Sequence, residues 1–163
     1  MKYFAIESVE CNNGFGFGTT LYVSGCQHHC KECFNKQTWD KNKGEVYTRE
    51  TTRYLIQCIS KPFISRLTIS GGDPLSLYNR MSVIEICKEI KKAKPSIDIW
   101  IYTGYTLEQL FSQSPAFVND LREVADHLVD GKFEVQYKCE KKPYRGSGNQ
   151  KVYDLKTCEE ILP

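Results

Sequence analysis

Three cysteines crowd into one short stretch of the chain, residues 24–35. Cys26, Cys30 and Cys33 follow a C-x3-C-x2-C spacing, and the next cysteine is Cys58. A loop with that spacing can turn three thiolates toward one point, and thiolates favour iron–sulfur clusters, zinc or Cu(I). Three protein ligands leave one iron of a four-iron cube open, and an open iron can bind and activate a small molecule.

The same loop allows a zinc interpretation, because His28 and His29 lie between the first two cysteines. A Cys3His site, or a non-enzymatic module that binds zinc or a cluster, is conceivable by ligand count. A histidine so close to two ligating cysteines would need a cramped ring, which argues against zinc. We interpret both histidines as side chains behind the ligands or facing a partner.

A second motif, Gly71-Gly72-Asp73-Pro74, follows a predicted strand. Two glycines let a ligand approach the backbone closely, and the carboxylate of Asp73 beside them can pair with an ammonium group. On its own the motif also fits an ordinary turn that closes a βα unit. Together with the cysteine loop, it indicates a ligand site.

These two motifs resemble the radical S-adenosylmethionine superfamily, and within it the activating enzymes of anaerobic (class III) ribonucleotide reductase. Many superfamily members carry an aromatic residue just before the third cysteine, whereas here Glu32 precedes it and Phe34 follows it. The reductase-activating enzymes share that arrangement. The similar stretches run in the same order through nearly the whole chain: 21–35, 38–39, 70–75, 99–105, 129–133 and 144–155.

The resemblance implies a [4Fe-4S] cluster on the three cysteines and S-adenosylmethionine on the open iron. The loop 71–73 would hold the methionine part of this cofactor, and residues 32–34 would lie near its adenine. Two residues at the ends of later strands could contact its sugar or methionyl part, although turn chemistry explains them equally well. The predicted cofactor contacts are therefore Glu32, Cys33, Phe34, Gly71, Gly72, Asp73, Thr103 and Asp130.

The resemblance also implies a reaction and its partners. The reduced cluster would cleave S-adenosylmethionine to methionine and a 5′-deoxyadenosyl radical, which takes a hydrogen atom from a glycine of the reductase. The expected partners are the catalytic subunit of the anaerobic reductase and a one-electron donor such as flavodoxin. An activase of another glycyl-radical enzyme, such as pyruvate formate-lyase, is the alternative. Whether the chain forms a homodimer stays open.

Length, charge and cysteine content limit the number of domains, the classes of partner and the cellular compartment that the sequence predicts. A length of 163 residues predicts one domain, residues 1–163. The net charge of +2 gives no sign of a nucleic-acid partner, and no apolar run is long enough to span a membrane. Eight cysteines without an export signal predict a reducing cytoplasm rather than a disulfide framework.

Strands that alternate with helices predict right-handed βαβ units and a parallel sheet. Both motifs and the turns at Thr103 and Asp130 follow predicted strands, where (β/α) barrels place their chemistry. There are too few units for a closed eight-stranded barrel, so we expect an α/β fold, an open and partial β/α barrel of the radical SAM type. The predicted strands are 1–10 (at an edge), 20–24, 67–70, 97–102, 127–129 and 151–155, and the predicted helices are 48–59, 80–92 and two short ones after Thr106 and Ser114.

For other segments the sequence predicts mainly structural roles. The Gly-rich residues 11–19 are expected to be a flexible lead-in to a strand, and the lysines at 91–94 a solvated helix end. Cys58 and Cys87 fall on apolar helix faces and are expected in the core. In residues 144–150, Arg145 could bind a carboxylate bidentately, dock a partner loop or lie in a solvated loop.

Overall fold

The computed structural model describes residues 1–139 and 141–162, and one mixed sheet runs through them. Its strands in chain order are β1 Lys2–Glu10, β2 Phe17–Val23, β3 Glu45–Val46, β4 Ile64–Gly71, β5 Asp98–Tyr102, β6 His127–Asp130, β7 Lys151–Asp154 and β8 Glu159–Glu160. They lie side by side in the order β3-β1-β2-β4-β5-β6-β7-β8. In the described part of the chain the two outermost strands do not pair with each other, so the sheet is open.

The four central strands, β2, β4, β5 and β6, are parallel, as the alternation of strands and helices predicts. Helices connect them: α1 Arg49–Ile59 precedes β4, α2 Arg80–Ala93 precedes β5, and α3 Leu107–Gln113 with α4 Pro115–Val124 precedes β6. Consequently the carboxyl ends of all four strands meet at one rim. The prediction of a partial barrel of the radical SAM type stays a prediction.

The outer strands differ from the expectation. The prediction that β1 lies at the edge is wrong, because β3 pairs with Lys2 and Tyr3 on its outer side. The predicted strand at 151–155 is confirmed as β7, which pairs antiparallel with β6, and β8 is an unpredicted strand that pairs antiparallel with β7. Both edge strands have only two residues, too few for a period-2 pattern to reveal them in the sequence.

Side-chain caps fix where α3 and α4 begin, as their sequences predict. Thr106 Oγ1 accepts from Gln109 N (3.1 Å), and Gln109 Oε1 accepts from Thr106 N (2.9 Å), which together form a capping box. Ser114 caps α4 in front of Pro115, the first helical residue. The helices bury their apolar faces against the sheet, and the prediction that Cys58 and Cys87 belong to the core is confirmed.

Two lysines of the 91–94 run are structural, so the prediction of a solvated helix end is wrong for them. Lys91 Nζ donates to Asp126 Oδ2 (2.6 Å) and to the carbonyl of Ile97. Lys94 Nζ donates to the carbonyls of Ile59 (2.8 Å) and Ile64 (2.6 Å). These hydrogen bonds satisfy backbone carbonyl groups near the ends of α1 and α2. If the lysines were solvated, those carbonyls would bond to water instead.

The Gly-rich segment is fixed rather than flexible, which corrects the expectation for it. Arg66 on β4 is fully buried and forms an ion pair with Glu10 (2.7 Å). Its guanidinium also donates to the carbonyls of Asn13 (3.1 Å) and Phe15 (3.2 Å). A Cβ at Gly14 would stand 2.5 Å from the Arg66 side chain, so glycine is required for this close approach.

None of the described helices has the length and apolar content needed to cross a bilayer.

Candidate functional site

The cysteine loop leaves the rim at the end of β2 and is held at its base by backbone hydrogen bonds. Gly25 N donates to Thr38 O (2.6 Å) and Cys26 N to Trp39 O (3.0 Å). The loop then turns sharply, with His29 and Glu32 in left-handed conformations (φ 47° and 57°). Non-glycine residues seldom adopt such angles, so the compact turn is maintained by its surroundings.

All three cysteines line one cavity of about 110 Å³ at the rim. Gly71 at the end of β4, Gly72 directly after it and Thr103 from the loop after β5 line the same cavity. Residues far apart in sequence are therefore brought together around the cysteines, as the strand-end argument predicts.

A larger cavity of about 400 Å³ adjoins the first one. Cys33, Ser70 and Tyr102 border both cavities, while Phe34 and Tyr144 border only the larger one. Its volume is within the range of small-molecule sites in proteins. A ligand that fills it would lie directly beside Cys33.

The thiols line a shared space without converging on a single ion. Among the described residues, no group of three or more His, Cys, Asp or Glu side chains is placed to hold one metal ion, so the expected convergence on one point is not observed. In a four-iron cube each thiolate binds a different iron, so cluster ligands stand around the cube. Three thiols that line one cavity without meeting at one point are compatible with cluster ligands.

Burial favours the protonated thiols of Cys26 and Cys30. It raises the pKa of Cys26 to about 11, and burial followed by the charge of Cys33 raises the pKa of Cys30. A thiol must lose its proton to bind a cluster, so binding of a cluster at these cysteines releases protons. Cys33 Sγ already accepts a bond from Asn35 N (3.4 Å).

The two glycines of the second motif allow the backbone of residues 23–25 to pack closely against them, and they also border the cavity. A Cβ on Gly72 would collide with the carbonyl oxygen of Gly25, and one on Gly71 would stand 2.8 Å from Val23 O. Gly72 N donates to that same Val23 carbonyl (2.8 Å). The loop after β4 is thus packed directly on the base of the cysteine loop, and its other side faces the cavity.

The carboxylate of Asp73 is fully buried and already has four donors. Oδ1 accepts from Leu75 N (2.9 Å) and Thr103 Oγ1 (2.9 Å). Oδ2 accepts from Gly104 N (3.3 Å) and His28 Nε2 (2.5 Å). An ammonium group could reach this carboxylate only by displacing one of these donors, so contact between the Asp73 side chain and the cofactor stays a prediction.

Asp130 has a structural role that differs from the predicted one. Its carboxylate accepts from Leu107 N (2.7 Å) at the start of α3 and from Lys151 N (3.3 Å) on β7. It borders neither cavity at the cysteines, whereas the next residue, Gly131, borders the smaller one. Burial raises the pKa of Asp130. The predicted cofactor contact of this side chain stays a prediction.

Glu32 and Phe34, the other predicted contacts, lie at the surface of the loop. The Phe34 ring is 62% exposed and packs edge-on against Phe133, with Lys138 Nζ 5.4 Å from its centre. Phe34 borders the larger cavity and Glu32 borders neither. Their contacts with a cofactor stay predictions.

Arg145 neither lies in a solvated loop nor presents its charge to the solvent, because its side chain is buried. It donates to the carbonyls of Gln150 (3.0 Å) and Leu162. Gln150, in turn, accepts from Gly146 N (2.9 Å) and donates to Gly131 O (2.9 Å). The sequence does not single out Gln150, since a glutamine in a polar loop carries no distinguishing pattern.

Comparisons with known proteins find similar sequences along nearly the whole chain. A family model described as a 4Fe-4S single cluster domain matches residues 12–153. The chain is 38% identical to the "Anaerobic ribonucleoside-triphosphate reductase-activating protein" of Escherichia coli (strain K12), over 96% of this chain and 100% of that one. It is 35% identical to the protein of the same name from Enterobacteria phage T4, over 94% of each chain.

Proposed function

Because this chain belongs to the family of anaerobic ribonucleoside-triphosphate reductase-activating proteins, we propose that it is a radical S-adenosylmethionine enzyme, an oxidoreductase that installs the glycyl radical on the anaerobic reductase. The iron–sulfur part rests on the matching 4Fe-4S family model. S-adenosylmethionine, the reductase subunit as partner and an electron donor such as flavodoxin are parts of the proposal. The observation that carries it is the single cavity shared by Cys26, Cys30, Cys33 and the Gly71-Gly72 loop.

The residues around that cavity have distinct tasks in this proposal. When bound, the cluster and S-adenosylmethionine supply a carbon radical able to remove a hydrogen atom from a glycine of the reductase. The three cysteines hold the cluster, and Gly71 and Gly72 present backbone groups to the methionine part. The larger cavity beside Cys33 gives room for the rest of the cofactor and for the partner's loop.

Two other functions are less well supported. An activase of pyruvate formate-lyase would use the same chemistry, but the relatives named above are activating proteins of the anaerobic reductase. A zinc-binding module is less well supported because the family model that matches residues 12–153 is described as a 4Fe-4S single cluster domain.

The first test asks whether the three cysteines hold a cluster that responds to S-adenosylmethionine. The protein is reconstituted anaerobically with iron and sulfide, reduced, and examined by EPR with and without S-adenosylmethionine. We expect a reduced-cluster signal that changes on addition, formation of 5′-deoxyadenosine, and a glycyl radical on the anaerobic reductase. Cys26→Ala, Cys30→Ala and Cys33→Ala should each lose the signal and most of the bound iron.

Cys11→Ala is the matched control, because Cys11 is an exposed cysteine on the Gly-rich segment. It should retain iron, signal and activity. Tight zinc with no cluster would contradict the proposal, and a glycyl radical formed only on pyruvate formate-lyase would change the partner.

A further inference from the structure

We propose that His28 is a positioning residue that clamps the cysteine loop onto the loop after β4 and so sets how S-adenosylmethionine meets the cluster. This inference rests on the proposed function. It begins from the side chain of His28, which is only 6% exposed although it lies in the middle of the cysteine loop.

The clamp is a hydrogen bond between residues 45 positions apart in the sequence. The two oxygens of Asp73 already accept from two backbone N–H groups and a hydroxyl, so we assign the Asp73 side chain as the acceptor in its pair with His28. The His28 ring must therefore donate, and its Nε2 lies 2.5 Å from Asp73 Oδ2. A charge-assisted bond of this kind is stronger and more directional than a neutral one.

The ring of His28 is also held from its sides. It packs edge-on against Tyr105, with ring centres 4.6 Å apart. A Cβ on Gly104 would collide with its imidazole, so glycine is needed beneath the ring. Gln27, the preceding residue of the cysteine loop, donates to the hydroxyl of Tyr105. The cysteine loop is thus joined to the loops after both β4 and β5.

His28 stands in the wall of the cysteine cavity. It borders that cavity on one side, and on the other it borders an outer groove of about 650 Å³ that reaches α3. Its neighbour His29 has no comparable contacts: it is exposed and touches only the ring of Trp39 among the aromatic residues described. Two adjacent histidines therefore have opposite surroundings, which provides an internal control.

The geometry predicts which property should fail when the clamp is lost. The three cysteines do not depend on His28 for their thiolates, so the cluster should still assemble. The loop with Gly71 and Gly72 would no longer be fixed relative to the cluster, so binding of S-adenosylmethionine beside it should suffer. Loss of one charge-assisted hydrogen bond corresponds to a weakening of about tenfold or more.

The experiment compares His28→Phe, which keeps a ring but loses the donor, with His28→Gln, which keeps a donor, and His29→Gln as the control. We expect His28→Phe to retain iron, to lose most of the EPR change caused by S-adenosylmethionine, and to bind it about tenfold more weakly. His28→Gln should recover most of both, and His29→Gln should match the original protein. In the cluster-free protein, amide exchange at residues 71–79 and 103–107 should be faster in His28→Phe alone.

Three outcomes would overturn the inference. They are a His28→Phe protein equal to the control in both EPR and amide exchange, a His28→Phe protein that cannot hold iron, and a His28→Gln protein as defective as His28→Phe. If His28→Phe does not fold, His28→Asn, which is too short to reach Asp73, takes its place with the same expectations. An original protein that shows no response to S-adenosylmethionine would instead contradict the proposed function itself.

Discussion

Contacts between neighbouring loops constrain which residue types can occupy the rim, as much as a ligand does. Gly72 shows this most directly, because the space that a side chain would need is filled by the backbone of Gly25. Asp73 shows it for a charged group, since its carboxylate is used to hold three loops together. A residue type expected to contact a cofactor can therefore act by holding the residues that do.

We predict that Gly72→Ala displaces the loop after β4 from the base of the cysteine loop. The added methyl meets backbone that cannot move without breaking the Asp73 N to Gly25 O bond (2.7 Å). Overpacking of this kind costs about 1–3 kcal/mol. Urea unfolding of the cluster-free protein measures the cost, and titration with S-adenosylmethionine after reconstitution measures the effect on binding.

Gly148→Ala is the control for this substitution. The nearest group to a Cβ at Gly148 is Tyr137 O at 3.5 Å, an ordinary contact. That variant should unfold and bind like the original protein. Equal stability of Gly72→Ala and Gly148→Ala would show that the close approach at Gly72 is unimportant.

At the scale of elements, one buried arginine fixes a whole segment. Arg66 joins β4 to the end of β1 and to the backbone of residues 13–16. Burial alone would raise the pKa of Glu10, but the hydrogen bond and charge of Arg66 outweigh it and hold the pKa below its ordinary value. The Gly-rich segment is consequently a fixed wall of the larger cavity, which Asn12 and Asn13 border.

We predict that Arg66→Met strongly destabilises the protein. It leaves the carboxylate of Glu10 buried without its cation, a change that typically costs about 3–5 kcal/mol. Urea unfolding measures the loss, and proteolysis within residues 11–17 should become faster as the segment is released.

The exposed ion pair between Arg53 and Glu50 provides the comparison. It spans 3.5 Å on the surface of α1, and both side chains are largely exposed. Arg53→Met should leave the unfolding midpoint unchanged, because solvent screens such pairs. Similar effects of the two substitutions would refute the role assigned to Arg66.

At the scale of the whole molecule, Asp126 connects parts of the chain that are distant in sequence. Its carboxylate accepts from Lys91 Nζ on α2 (2.6 Å) and Ile99 N on β5 (2.9 Å), and Lys156 Nζ lies 3.3 Å away. Burial raises the pKa of Asp126, but the bonds from Lys91 and Ile99 outweigh that effect and leave it lowered. The charged form is therefore favoured by folding.

This lowered pKa predicts a pH dependence of stability. A carboxyl group with a lower pKa in the folded protein stabilises it above the unfolded pKa, about 3.9 for aspartate, and loses that contribution as the pH falls through the folded value. The difference in unfolding free energy between the original protein and Asp126→Asn should be constant from about pH 7 to pH 5 and shrink below about pH 4. Urea unfolding of the cluster-free protein at each pH measures it, and a difference that grows on acidification would contradict the assignment.

Much of this protein follows from its sequence alone. The cysteine spacing and the Gly-Gly-Asp-Pro motif predict the site, and the family resemblance drawn from them is confirmed by the relatives. Helix starts at Thr106 and Ser114 follow from caps within three residues. These features are local: spacing, periodicity and caps act over a few residues, so a sequence pattern can reveal them.

Only the tertiary structure decided which side chains meet across the rim. Asp73 could have faced a ligand, yet the strand order brings His28 and Thr103 to it. Asp130 could have faced the same cavity, yet it caps α3 through Leu107 N. A buried carboxylate takes the donors nearest to it, and for these two residues most of the donors lie more than 20 positions away in the sequence. The sequence therefore determined the chemistry of the site, and the folded sheet determined which residues hold it in place.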